Sequence, residues 1–115
     1  ADKLRMYQLI NRWHVEQFVY LCRRLKAMRE GESNVLDNSM ILFASALSDG
    51  NRHSPHNLPL VLAGKGGGRI DTGQHLVYGE DSPLANLYMS MLDVFGAPVE
   101  RFADSTGHLA GLLHA

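Results

Sequence analysis

Asp49, His53 and His56 bring one carboxylate and two imidazoles into the stretch Ser48-Asp49-Gly50-Asn51-Arg52-His53-Ser54-Pro55-His56-Asn57. Imidazole and carboxylate are the usual ligands of zinc, manganese and iron, and calcium takes carboxylate oxygen as well, so a divalent ion is the cofactor this loop would hold. Gly50 permits a tight backbone turn around such an ion. Arg52 supplies a planar cation able to grip an anionic group with two parallel hydrogen bonds. The same residues also make an ordinary polar loop, with Asp49 capping a turn, Asn57 bonding backbone, and Arg52 and Asp49 forming a surface ion pair.

Other candidates carry less. Lys65-Gly66-Gly67-Gly68-Arg69 has the glycines and cations of a phosphate cradle, but no Lys-Ser/Thr pair follows and the dinucleotide spacing fails, so it reads as a turn. His14 beside Trp13 reads as a packed or half-exposed histidine, and His75, His108 and His114 are isolated in sequence. Cys22 reads as a small apolar residue of a helix. Asp104-Ser105-Thr106-Gly107 reads as a turn because no base lies near it in sequence.

The elements that position the loop can be read from periodicity. Asp2 to about Arg29 contains no Gly or Pro, and Met6, Ile10, Trp13, Phe18, Leu21, Leu25 and Met28 recur at helical spacing, predicting one long amphipathic helix ended by Gly31. Met40 to Leu47 is a continuous apolar run, as in a strand covered on both faces, and it predicts a buried central strand. Leu58 to Ala63 predicts a second strand, and Gln74 to Tyr78 a weak third. Ser82-Pro83 marks a helix start and Gly96 its end, with Leu84, Leu87, Tyr88, Met91, Leu92 and Phe95 along one side. The expected fold is α/β: a small sheet with a buried central strand, packed by a long N-terminal helix and a second helix. It is expected as one domain or fragment over 1–115, with helix at 1–30, strands and Gly-rich turn at 38–79, helix at 82–96 and an irregular tail at 97–115.

Composition bounds the class. The chain has 115 residues with Lys plus Arg 11, Asp plus Glu 12 and a formal charge of -1, so no basic field draws a nucleic-acid backbone. Hydrophobic residues at 45% and charged residues at 20% match a folded protein rather than a disordered one. A single cysteine removes any internal disulfide framework. No apolar run is long enough for a membrane span, and no signal core follows Ala1. Because the chain starts at Ala1, it is expected to be a processed product or a piece of a longer protein.

Several of these segments together follow a known order: Ile10-Asn11-Arg12-Trp13-His14, Leu36-Asp37-Asn38-Ser39, Ser48 to His53, Asn57-Leu58-Pro59, Ala63-Gly64, Ser82 to Leu87, and Asp104-Ser105-Thr106-Gly107. Over nearly the whole chain this resembles the carboxyl-terminal portion of the bacterial HXXSHH proteins, domain-of-unknown-function family 1552. These are longer, exported proteins with their histidine motif upstream, and more distantly they are similar to the alkaline phosphatase and sulfatase superfamily. The resemblance implies the C-terminal part of an alkaline-phosphatase-like fold and an exported or periplasmic location. It further implies that Asp49 and His56, with His53 as a third candidate, match a late metal-binding loop. Function is then expected as a metal-proximal segment of a phosphate- or sulfate-ester hydrolase completed by upstream chain, with Arg52 steadying the anion. The other reading is a noncatalytic binding or assembly module docked through its long helix, with an upstream segment or a second copy as partner.

Overall fold

A computed structural model describes residues 2–80 and 82–114. Helix α1 spans Asp2–Ala27, strands β1 Arg29–Glu30 and β2 Ser33–Asn34, strands β3 Ile41–Ala44 and β4 Leu60–Ala63, and helix α2 Ala85–Phe95; a single 3-10 turn occupies Gly66–Gly68. The described residues thus form a small α/β fold with two α-helices and two two-stranded antiparallel sheets.

In α1, Asp2 sits in the first turn and Arg24 and Lys26 in the last, the polarity that suits the helix dipole. The helix stops at Ala27, short of Arg29, and Gly31 does not cap it. Gly31, at φ 56, instead turns the β1–β2 hairpin, which pairs Arg29 with Asn34 and Glu30 with Ser33. Asn38 Nδ2 donates to Glu30 Oε2 across this hairpin at 2.7 Å.

Strand β3 pairs with β4 in the register Ile41–Ala63, Leu42–Leu62, Phe43–Val61 and Ala44–Leu60. Strand alternation sends Phe43 toward α1, where its ring stacks on Phe18 with centroids 5.1 Å apart. On the other face Met40, Leu42, Leu60 and Leu62 pack on the buried cluster Ile70, Leu87 and Leu112. The expectation of a buried central strand is corrected here. β3 is four residues long, has one strand neighbour, and is nowhere better than half-buried. The apolar run does touch cover on both faces, but among the described residues one edge pairs with no strand.

The core sits instead between α2 and the tail. Ser90, 0% exposed, donates its hydroxyl to Asn86 O at 3.2 Å and accepts from Leu109 N at 2.8 Å. Buried Asn86 donates Nδ2 to Thr106 Oγ1 at 3.0 Å and accepts from Thr106 N at 2.8 Å. These bonds satisfy polar groups that would be costly to bury bare, and they fasten the irregular segment 106–113 over the helix. An isolated bridge between Ile70 and Leu113 completes the closure.

Two local expectations change. Segment 74–78 forms no strand: Val77 is 81% exposed, and the segment is held by side chains, Gln74 Nε2 donating to Gly111 O and the Tyr78 hydroxyl to Ala110 O. Helix α2 begins at Ala85 with Leu84 at its N-cap and no side-chain cap, so Ser82 is not the capping residue. Gly96 does end it, at φ 85, its N–H donating to Asp93 O.

The chain is open for its size. Its radius of gyration is 16.0 Å, against about 13 Å for a compact domain of this length. Its accessible surface is 8808 Å², against about 6,300 Å² for a compact monomer of the same mass.

Asn86→Ala removes both bonds to Thr106; a loss of about 1–2 kcal/mol in urea unfolding is expected. The Lys65 ammonium, hydrogen-bonded to Asp37 Oδ2 at 3.0 Å, holds the Asp37 carboxyl below its ordinary value. A lowered carboxyl stabilises the fold at pH above its unfolded value of about 3.9, and that contribution is lost as pH falls through the lower folded value. Lys65→Met is therefore expected to flatten the acid limb of a stability-versus-pH curve below about pH 4 while leaving its shape above neutrality unchanged.

Candidate functional site

Residues 45–59 connect two antiparallel strands, so the polar loop is the long end of a hairpin and not a loop at the carboxyl end of a parallel sheet. Its neck is closed by backbone: Ser48 N donates to Ser54 O at 2.9 Å and Ser54 N to Asp49 O at 3.2 Å. Inside the neck, Asp49 Oδ1 accepts from the amides of Asn51 at 2.9 Å and Arg52 at 3.1 Å, a side-chain-closed turn of the kind Asp forms readily. Asp49 Oδ2 faces Arg52 Nε at 3.7 Å. That guanidinium is largely exposed, so the pair adds at most about 1 kcal/mol.

The carboxylate is therefore engaged by two amides and a cation. His53 and His56 are exposed, and neither ring hydrogen-bonds to another described residue. His53 at φ 53, inside the closed neck, and Asn57 at φ 52, just beyond it, hold left-handed backbone without being glycine, a conformation uncommon for residues with a side chain. Among the described residues no three His, Cys, Asp or Glu side chains gather to hold a metal. The donors of this chain thus amount to a partial set, Asp49 already satisfied and two free imidazoles, and a divalent ion here would need ligands from outside the chain.

The Gly-rich segment is spent on structure. Lys65 is paired with Asp37, and Arg69 reaches Asp93 twice, Nη1 to the carbonyl oxygen at 2.7 Å and Nη2 to Oδ2 at 2.9 Å. The amides of Gly66, Gly67 and Gly68 donate to Ser39 O, Asp37 O and Lys65 O. Both cations and all three amides are thus occupied, which leaves no phosphate cradle. Gly64, at φ 96, has room for no side chain: a Cβ there would fall on the carbonyl oxygen of Ser39.

Other placements were not foreseeable from spacing. His114 Nδ1 lies 2.8 Å from Asp71 Oδ1, across 43 positions of sequence. The Tyr88 ring meets Phe102 edge-on at 6.0 Å, beside an open apolar groove of about 630 Å³ whose walls include Met40, Met91, Leu92 and Phe95. A second groove, about 430 Å³, lies between α1 and β3, walled by Trp13, Gln17, Phe18 and Leu21.

Helix α1 is the largest departure from an ordinary domain. None of its described residues is buried, and only Phe18, Cys22 and Leu25, spaced four and three apart, reach half-burial against the body. Ten of its large apolar side chains, among them Leu4, Met6, Tyr7, Ile10, Trp13 and Tyr20, are at least 38% exposed. Lys3, Arg5, Arg12, Arg23, Arg24 and Lys26 against Asp2 and Glu16 give the helix a formal charge of +4, leaving -5 on the rest of the chain. Among the described residues no helix is long and apolar enough to cross a membrane. No family model, no curated protein and no solved structure matches the chain.

Proposed function

We propose that this chain is an assembly module, docked through α1 into a larger α/β protein of the HXXSHH type that its sequence resembles. The observation that carries the reading is the helix that buries none of its described residues while exposing ten large apolar ones. So many large apolar side chains left exposed on one helix form the kind of surface that marks an interaction site. The surface excess points the same way: roughly 2,500 Å² beyond a compact monomer is the scale at which obligate partners cover one another. The covering partner is the upstream polypeptide that the resemblance implies, and an exported location follows from the same resemblance.

Trp13 reports the docking, being the sole tryptophan and 56% exposed. Mixed with the preceding portion of an HXXSHH-type protein supplied as a separate chain, it is expected to shift its emission to the blue in a complex of one copy each. Met6→Glu together with Tyr20→Glu, seven positions to either side of Trp13 and both exposed, is expected to weaken that complex by at least about tenfold, since two large apolar contacts are lost. A chain that stays monomeric beside that partner, with unshifted emission and a cooperative unfolding transition of its own, overturns the reading.

The hydrolase reading concerns the polar loop of the same assembly, and the observation favouring it is a pair of exposed imidazoles, His53 within the closed neck and His56 two residues past it. His53 and His56 would hold a divalent ion with ligands from the partner, Asp49 would order the loop, and Arg52 would meet an ester anion. When bound, the ion supplies polarisation of a phosphate or sulfate ester oxygen. In the assembled protein, His53→Ala with His56→Ala is expected to lower bound zinc or manganese measured by elemental analysis. Unchanged metal content rules this role out.

A further inference from the structure

The open edge of β3 is the feature with most left to account for. Strand β3 is followed on both sides of its sheet by an apolar groove: on the α1 face the space of about 430 Å³ beside Phe18 and Leu21, and on the α2 face the space of about 630 Å³ beside Met91 and Phe95. Ile41 lines both. Two grooves that share a strand and open on the same residue leave the outline of one missing neighbour, with side chains filling each groove alternately. Among the described residues, no other strand pairs with that edge. The edge itself is undefended: Met40 to Leu47 contains no charge and no proline, the usual guards of an exposed strand. The β4 edge differs, since Pro59 precedes it and neither groove reaches it.

We infer that the free edge of β3 receives an extended apolar strand from a partner polypeptide, seated between the α1 and α2 grooves and flanked by acidic residues. The inference rests on the assembly reading and gives that interface its geometry. The strand must be apolar on consecutive residues, because both of its faces meet grooves of apolar lining. Acidic flanks follow from the helix above it. His14, Gln17 and Leu21, which line the groove, share one stripe of α1 with Arg24 one turn beyond Leu21 and with Lys3 toward the helix start, within a helix of charge +4. The same charge argues against a second copy as the occupant. Antiparallel pairing of β3 with β3 keeps side chains on their own faces, so it sets both α1 helices side by side on one face, +4 beside +4.

The probe is a synthetic peptide with the Met40 to Leu47 sequence flanked by two glutamates at each end, compared with the same peptide flanked by lysines. Added to the full chain, the glutamate form is expected to slow amide hydrogen exchange at Ile41–Ala44 and to shift Trp13 emission. It should bind about tenfold more tightly than the lysine form at low salt, the gap narrowing in high salt. Phe95→Asp and Leu21→Asp, at exposed groove positions 78% and 45% accessible, should each weaken binding about tenfold with an unchanged circular-dichroism spectrum. Exchange at Ile41–Ala44 unaffected by either peptide overturns the proposal, as does equal binding of the two. A chain that sediments alone as a dimer with those amides protected overturns it too, by making a second copy the occupant. Failure of the assembly reading is seen separately, because a larger protein that leaves Trp13 unshifted does not alter whether the peptide binds.

Discussion

A strand that is apolar on both faces needs cover on both faces and a neighbour along each edge, and β3 has the first without the second. Its backbone carries obligatory donors and acceptors, and leaving one row of them open is tolerable only while water reaches it. The openness of the molecule follows from that. α1 lies over one face through Phe18 on Phe43, α2 and the tail lie over the other through the Ile70, Leu87 and Leu112 cluster, and the edge between them is a gap rather than a surface.

What holds together does so through polar groups placed inside the apolar layer. Asn86 and Ser90 are four residues apart on α2, so they stand one above the other on the face that meets the tail. Each uses its side chain to fix a backbone amide of a segment that has no secondary structure of its own. Loss of conformational freedom in residues 97–114 is offset by few buried apolar groups, Leu112 chief among them, and the directional bonds select one path for the chain where packing alone would allow several. At the other end of the same layer, the ion pairs Lys65–Asp37 and Arg69–Asp93 join the glycine turn to the segment before β3 and to the end of α2. The rim of the core is thus tied by side chains on three sides.

The helices were legible because their signals are local. Absence of Gly and Pro over 2–27, the apolar period, and Gly96 at its left-handed cap all refer to neighbours a few residues away. Strand β3 was legible as apolar, but not as an edge, since edge or centre depends on what lies beside it and sequence records only the chemistry of the strand itself. Gln74 to Tyr78 had a strand's alternation and found no neighbour, so its polar groups turned to the tail carbonyls instead. In the polar loop, residue types foretold an engaged Asp49, and the two readings of that carboxylate, turn cap and ligand, differ only in which partners reach it. The amides of Asn51 and Arg52 are two and three positions away and arrive first. The Asp71–His114 contact spans too much chain for any spacing to betray it.

The uneven charge connects these features. A net of -1 conceals a helix at +4 and a remainder at -5, and the attraction between them is spent on few internal contacts: the cations of α1 are exposed, with Arg12 on Glu16 of its own helix. An amphipathic helix that carries such charge together with exposed aromatic rings is costly to leave in water on both counts, its rings ordering solvent and its cations repelling one another along a single rod. Covering it with an apolar strand bearing acidic flanks relieves both at once. A wholly apolar cover would bury the rings but strand Lys3 and Arg24 at its margins, whereas a highly charged one would satisfy the cations and leave Trp13 wet. Cover for this helix therefore has to meet two independent demands, apolar contact for its rings and negative charge for its cations.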